Sequence, residues 1–215
     1  MTHWNRKIGF IFLVGVTFLY SFKSPDNTLK KVFNADELIT VNKIIDFYDN
    51  FVLSKTNENL KIENAYRQFL DNNCPLVEKS GDLSRLLPDE KQKLDFYSTL
   101  DRKALEEIYG ITDTVKYYNR FKKEFVKVYQ PYSFSLNTQG KYYDLLKLLS
   151  KRNKYFKEYL KSIEIAGDLS PSNYMAILHG YENIDFSKKE ERLVLIVNLL
   201  HAQKTVEFEN EKNAP

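Results

Sequence analysis

Residues 113–130 read DTVKYYNRFKKEFVKVYQ, the clearest amphipathic pattern in the chain. At 100° per residue, Lys116, Arg120, Lys123 and Lys127 fall within about 60° of one another. Tyr117, Tyr118, Phe121, Phe125 and Val128 cover the opposite side. The spacing predicts a basic, amphipathic helix that Pro131 breaks.

The same period continues on either side. Downstream, Tyr142, Leu145, Leu146, Leu149, Phe156, Leu160 and Ile163 predict one long helix over 138–164, with Lys147, Lys151, Lys154 and Lys161 as a second basic stripe. Upstream, Asn34 and Glu37 have capping-box spacing ahead of a stripe of Leu38, Val41, Ile45, Tyr48 and Val52, which predicts a helix over 35–54. A second helix over 58–73 is expected to stop at Cys74-Pro75. Residues 76–87 read as a loop. Pro88 suits the first turn of a third helix, and Asp101 a cap for a fourth that Gly110 ends. Near the end, Ser170-Pro171 marks a helix start, and Ser187 with Glu190 reads as another capping box. The run LVLIVNLL over 193–200 is apolar nearly all round, so its helix belongs at the centre.

The expected fold is therefore all-α: an irregular bundle of seven to eight helices behind an N-terminal hydrophobic signal or anchor helix. The expected organisation is a signal anchor or signal peptide over 1–22, a linker over 23–33, one helical domain over 34–204 and a frayed tail over 205–215. Seven glycines and six prolines are few for a fold rich in tight turns.

The N-terminal segment rests on residues 8–22, IGFIFLVGVTFLYSF, which carry no charge and are flanked by Arg6, Lys7 and Lys23. A basic lead and an apolar core of about 7–15 residues make a secretory signal. No pair of small residues marks a good cleavage site, which favours an uncleaved anchor. Fifteen residues are short of the roughly 20 that span a bilayer, but Trp4, Tyr20 and Phe22 suit its interfaces. The plain alternative is a buried terminal helix. The reading places the protein at the cell membrane, single-pass with its domain outside, or in a secreted or periplasmic state.

The net charge of +3 conceals a segregation. Residues 32–114 carry ten Lys/Arg against sixteen Asp/Glu, and residues 115–161 carry twelve against three. The basic middle suits an anionic surface, an acidic protein partner or an anionic envelope polymer. Candidate ligand-binding residues are Lys116, Arg120, Lys123, Lys127, Lys147, Lys151 and Lys154. Lysine predominates over arginine, which favours diffuse attraction over bidentate recognition. Nucleic acid is disfavoured for a domain outside the membrane. Tyr129, Tyr132 and Tyr142 are candidate surface aromatics for stacking, although helical tyrosines more commonly lie in a core.

No catalytic motif is present: the chain has no P-loop, GxGxxG, GxSxG or HExxH. His179 and His201 could meet if the last helices pack together, but their pattern implies no metal site, and no cofactor is expected. Cys74 is the single cysteine, so no internal disulfide forms. Glu106-Glu107 and Glu190-Glu191 read as solvated or capping charges. The leading expectation is a membrane-tethered or exported helical interaction domain. The alternative is a small exported hydrolase acting on cell-wall or polysaccharide material.

Overall fold

A computed structural model describes residues 28–119 and 122–202. The candidate anchor over 8–22, Arg120 and the tail beyond residue 202 lie outside the described residues. The chain is mostly helical. Among the described residues there are nine α-helices and one two-stranded antiparallel sheet, so the all-α expectation is corrected by a β-hairpin in the middle of the chain.

The centre is as expected. Helix α9 (Lys189–His201) is buried from Glu190 to His201. Helix α2 (Ala35–Lys55) packs along it and carries the capping box, with Asn34 Oδ1 accepting from the Glu37 amide at 2.9 Å and Glu37 Oε2 accepting from the Asn34 amide at 2.8 Å. Helix α8 (Pro171–His179) starts as read, with Ser170 as cap and Pro171 in its first turn. The Ser187 cap does not form. Helix α9 begins behind Lys188, and the Ser187 hydroxyl donates to Asp185 Oδ1 at 2.6 Å instead.

Pro75 does not stop the second helix, α3 (Ile62–Ser80), which runs through it to Gly81 in the left-handed conformation at φ 72°. An interior proline costs about 3 kcal/mol. Burial of Tyr66, Phe69, Leu70, Cys74 and Val77 on one face of α3 outweighs that, at about 1.5–3 kcal/mol for each large apolar side chain. After a short 3-10 turn at Leu83–Leu86 come α4 (Glu90–Ser98) and α5 (Arg102–Glu106), each behind its aspartate cap. Pro88 lies ahead of the Asp89 cap and not in the helix.

The long helix expected over 138–164 is two: α6 (Lys141–Ser150) and α7 (Lys154–Ala166), folded back on one another. Asn153 caps α7, its Oδ1 accepting from the Tyr155 amide at 2.8 Å. The apolar period is the same on both sides of the break, so it hides the turn. Part of the expected linker is also structured. Helix α1 (Thr28–Val32) packs against α6, burying Thr28, Leu29 and Phe33. Among the described residues no helix is long and apolar enough to cross a membrane.

Candidate functional site

The stretch expected to be a basic helix is a β-hairpin. Strand β1 (Tyr109–Asn119) pairs antiparallel with β2 (Glu124–Leu136). Thr112, Thr114, Val115, Tyr117 and Tyr118 on one strand, and Phe125, Val126, Val128 and Tyr129 on the other, are β-branched or aromatic, the types that suit a pleated surface and lose most freedom in a helix. Four residues, 120–123, join the strands, and Lys123 takes a positive φ of 54°.

The hairpin is anchored at its base. The Tyr109 ring stacks on Phe134 with centroids 4.5 Å apart, and Phe134 meets Tyr97 edge-on at 4.8 Å. The Tyr109 hydroxyl donates to the Val197 carbonyl of α9 at 2.9 Å, and the Leu136 amide donates to Asp168 Oδ1 at 2.6 Å. Above the base, Thr112 faces Ser133 and Thr114 faces Tyr129, so Asp113 opposes three residues of β2. This bulge accommodates Pro131, which has no amide to give to a ladder. Tyr132 there has a φ of 57°, and its amide donates to Asp113 Oδ1 at 3.4 Å while Arg102 Nη1 holds Oδ2 at 3.1 Å.

Beyond the bulge the hairpin is an arm. One face consists of Thr114, Lys116 and Tyr118 opposite Tyr129, Lys127 and Phe125. All six are exposed, Phe125 and Tyr129 at 74% each. Lys116 and Lys127 are direct cross-strand partners and border a shallow cleft of about 430 Å³ with Phe125. Tyr118 and Phe125 meet edge-on at 5.3 Å. Like charges placed opposite one another cost a fraction of a kcal/mol to about 1 kcal/mol. An arm with five Lys/Arg and one glutamate over 114–129 concentrates positive potential between aromatic faces.

The structure thus brings together Lys116, Lys127 and Tyr129 from the sequence candidates, and puts Lys123 at the tip. It corrects the helical geometry: the lysines and the rings share one face, where a helix would have set them on opposite sides. Tyr132 is half-buried, against Tyr97 at 5.7 Å. Tyr142 is a correction. It is fully buried and its hydroxyl is pushed well above its ordinary value by burial, so it is no surface aromatic. Lys147, Lys151 and Lys154 lie around the α6–α7 turn, separate from the arm. Lys147 pairs with Asp144 at 3.0 Å and sits over the Tyr143 ring.

The base of the arm meets the C-terminal end of α9, through Val197 and His201. Thr28 accepts from Arg152 Nη1 at 3.0 Å, and Arg152 borders a cleft with Glu190 and Glu191 at the N-terminal end of α9.

The remaining polar candidates hold the fold together. Glu106 pairs with Arg102, and Glu107 Oε2 accepts from the Lys141 amide at 3.1 Å. Glu190 and Glu191 are buried, contrary to the solvated reading, with Glu191 paired to Lys188 at 3.0 Å. Burial pushes the Asp49 carboxyl up, and Arg192 and Tyr66 enclose it. His179 pairs with Glu78 at 3.2 Å, whereas His201 is buried and shares a hydrogen bond with the Tyr174 hydroxyl. Among the described residues no three His, Cys, Asp or Glu are grouped to hold a metal. Burial, with Glu78 and Asp71, pushes the Cys74 thiol up to about 12, which leaves almost no thiolate at neutral pH. Sequence reasoning missed the polar contacts of α9. Their signal is Asn198 inside LVLIVNLL, whose side chain donates to the Tyr159 hydroxyl in the core.

No known protein family and no solved structure matches this chain. A segment of 118 residues is 33% identical to the DNA-directed RNA polymerase subunit beta N-terminal section of Stigeoclonium helveticum. The likeness covers 54% of this chain and 16% of that protein.

Proposed function

We propose that this chain is a binding module: a helical body that holds a basic, aromatic β-arm out to an acidic protein surface. The observation that carries the reading is Lys116 set directly opposite Lys127, between the exposed rings of Phe125 and Tyr129. Two adjacent exposed cations gain from a carboxylate partner, and the rings add contact area at little entropic cost. Lysine heads on a flat ribbon suit a surface of distributed carboxylates better than a planar, bidentate ligand.

The stretch over 8–22 supports a tether to a membrane, with the body outside it. Fractionation of the full chain, with protease added to intact cells from which the wall has been removed, tests the placement. Membrane retention with digestion of the body is expected, and a soluble, full-length product overturns it.

The binding test is a titration of the full chain with polyglutamate and, separately, with vesicles rich in phosphatidylglycerol. Polyglutamate binding should weaken steeply between about 20 and 200 mM salt and fall about tenfold or more in Lys116→Glu/Lys127→Glu. Equal binding by that variant overturns the reading. Tight binding to vesicles with none to polyglutamate replaces the acidic protein surface with a lipid one.

A further inference from the structure

The body carries, beside the base of the arm, a surface of the kind the arm would seek. A groove of about 590 Å³ runs between α2 and α5, the helix that leads into β1. Asp36, Glu37, Asp101 and Glu107 line it together with Lys43 and Lys103, and Glu37 is held by Lys141 Nζ at 2.6 Å. Ile39 opens into the same groove and is 58% exposed. Four carboxylates against two lysines leave the lining net negative, and with the exposed Ile39 it complements a ribbon that alternates lysines and aromatic rings.

We infer that the arm docks into this groove on a second copy of the chain. The inference rests on the reading of the arm as a binding surface and names its partner. Residues 114–119 extend about 20 Å at 3.4 Å per residue, too stiff as a paired ribbon to fold back into the groove at its own base. A two-fold axis beside the base solves this. Each arm crosses to the other copy's groove, so both contacts form together and the assembly closes as a dimer. Lys116 and Lys127 then meet Asp36 and Glu107, and Phe125 or Tyr129 covers Ile39. The exchange also supports the arm, because an isolated two-stranded ribbon is only marginally stable. The edges of the ribbon are a poorer interface. Lysines, Pro131 and the bulge are features that keep ribbon edges from pairing.

The test uses the full chain, held in mild detergent, and sedimentation velocity with two charge reversals. Wild-type protein should sediment as a dimer at about 20 mM salt and shift towards monomer at about 500 mM salt. Lys127→Glu alone and Asp36→Lys alone should each weaken the dimer tenfold or more. An equimolar mixture of the two variants should restore it. In the mixed dimer, one arm–groove contact is native and the other has both charges reversed. A wild-type monomer at low salt overturns the inference, as does a mixture no more dimeric than its components. If the wild type is monomeric yet binds polyglutamate through Lys116 and Lys127, only the second copy is ruled out as partner. If it is monomeric and binds no polyanion, the reading of the arm falls too.

Discussion

Arg192 and Asp49 join α9 to α2 through two parallel hydrogen bonds, Nε to Oδ1 at 3.2 Å and Nη2 to Oδ2 at 3.1 Å. The same guanidinium donates to the Phe186 carbonyl at 2.6 Å, and the Tyr66 hydroxyl donates to Asp49 Oδ1 at 2.8 Å. Both side chains are largely buried, so each charge depends on the other for its solvation. Arg192→Met leaves the Asp49 carboxylate buried without its partner and should cost about 3–5 kcal/mol in urea unfolding. Adding Asp49→Asn removes the stranded charge and should recover a good part of the loss. A single variant as stable as wild type would show that the pair contributes little.

Gly140 is the next point of sensitivity. A Cβ there would lie 2.4 Å from the Glu107 carbonyl oxygen, a backbone atom that also accepts from the Tyr142 amide. Gly140→Ala must displace backbone and should cost about 1–3 kcal/mol. At Gly110 a Cβ meets the Ser135 hydroxyl at 2.7 Å, which can rotate away. Gly110→Ala should therefore be tolerated at well under half that cost in the same unfolding assay.

Acid should weaken the body through His201. Burial holds its pKa below the ordinary 6.5, against the opposing pull of Asp168 at 3.8 Å and of the Phe134 carbonyl, while Lys93 pushes in the same direction as burial. Above 6.5 the imidazole is neutral in both folded and unfolded chains and costs nothing. As pH falls below 6.5 the unfolded chain takes up the proton first, so stability is lost progressively until the lower folded value is reached. Urea midpoints taken from about pH 7.5 down to about pH 5 should fall for wild type. They should fall less for His201→Phe over the upper part of that range, and equal slopes would assign the acid sensitivity elsewhere.

The exposed rings of the arm should matter for binding and not for folding. Phe125→Ser and Tyr129→Ser remove side chains that are 74% exposed, so unfolding should change by no more than about 0.5 kcal/mol. Their polyglutamate affinity should fall several-fold. A large loss of stability would mean that these rings pack on the body.

Much of the helical body was legible in the sequence because local signals and burial agree there. The capping box at Asn34 and Glu37, the Ser170-Pro171 start and the apolar run of α9 all specify the same structure. Two helix ends were misread for one reason: an apolar stripe reports the face that is buried, not the path of the backbone. It carries α3 through Pro75, and it continues unbroken across the turn at Asn153.

The arm was illegible for a different reason. Lys116, Arg120, Lys123 and Lys127 are spaced four, three and four apart, which satisfies a helix. The cross-strand pairing of Lys116 with Lys127 becomes visible only when the turn at 120–123 is known. That turn has the sequence Arg-Phe-Lys-Lys, without glycine or proline to mark it. The residues proposed to bind were therefore named in part, but their grouping with Phe125 and Tyr129 on one face needed the strand register.

The most direct test follows the backbone amide resonances of the full chain in detergent as polyglutamate is added at low salt. A binding arm predicts shifts concentrated in residues 114–129, lost at high salt and absent in Lys116→Glu/Lys127→Glu. Shifts centred on Lys147, Lys151 and Lys154, with residues 114–129 unmoved, would place the anionic site at the α6–α7 turn and contradict it.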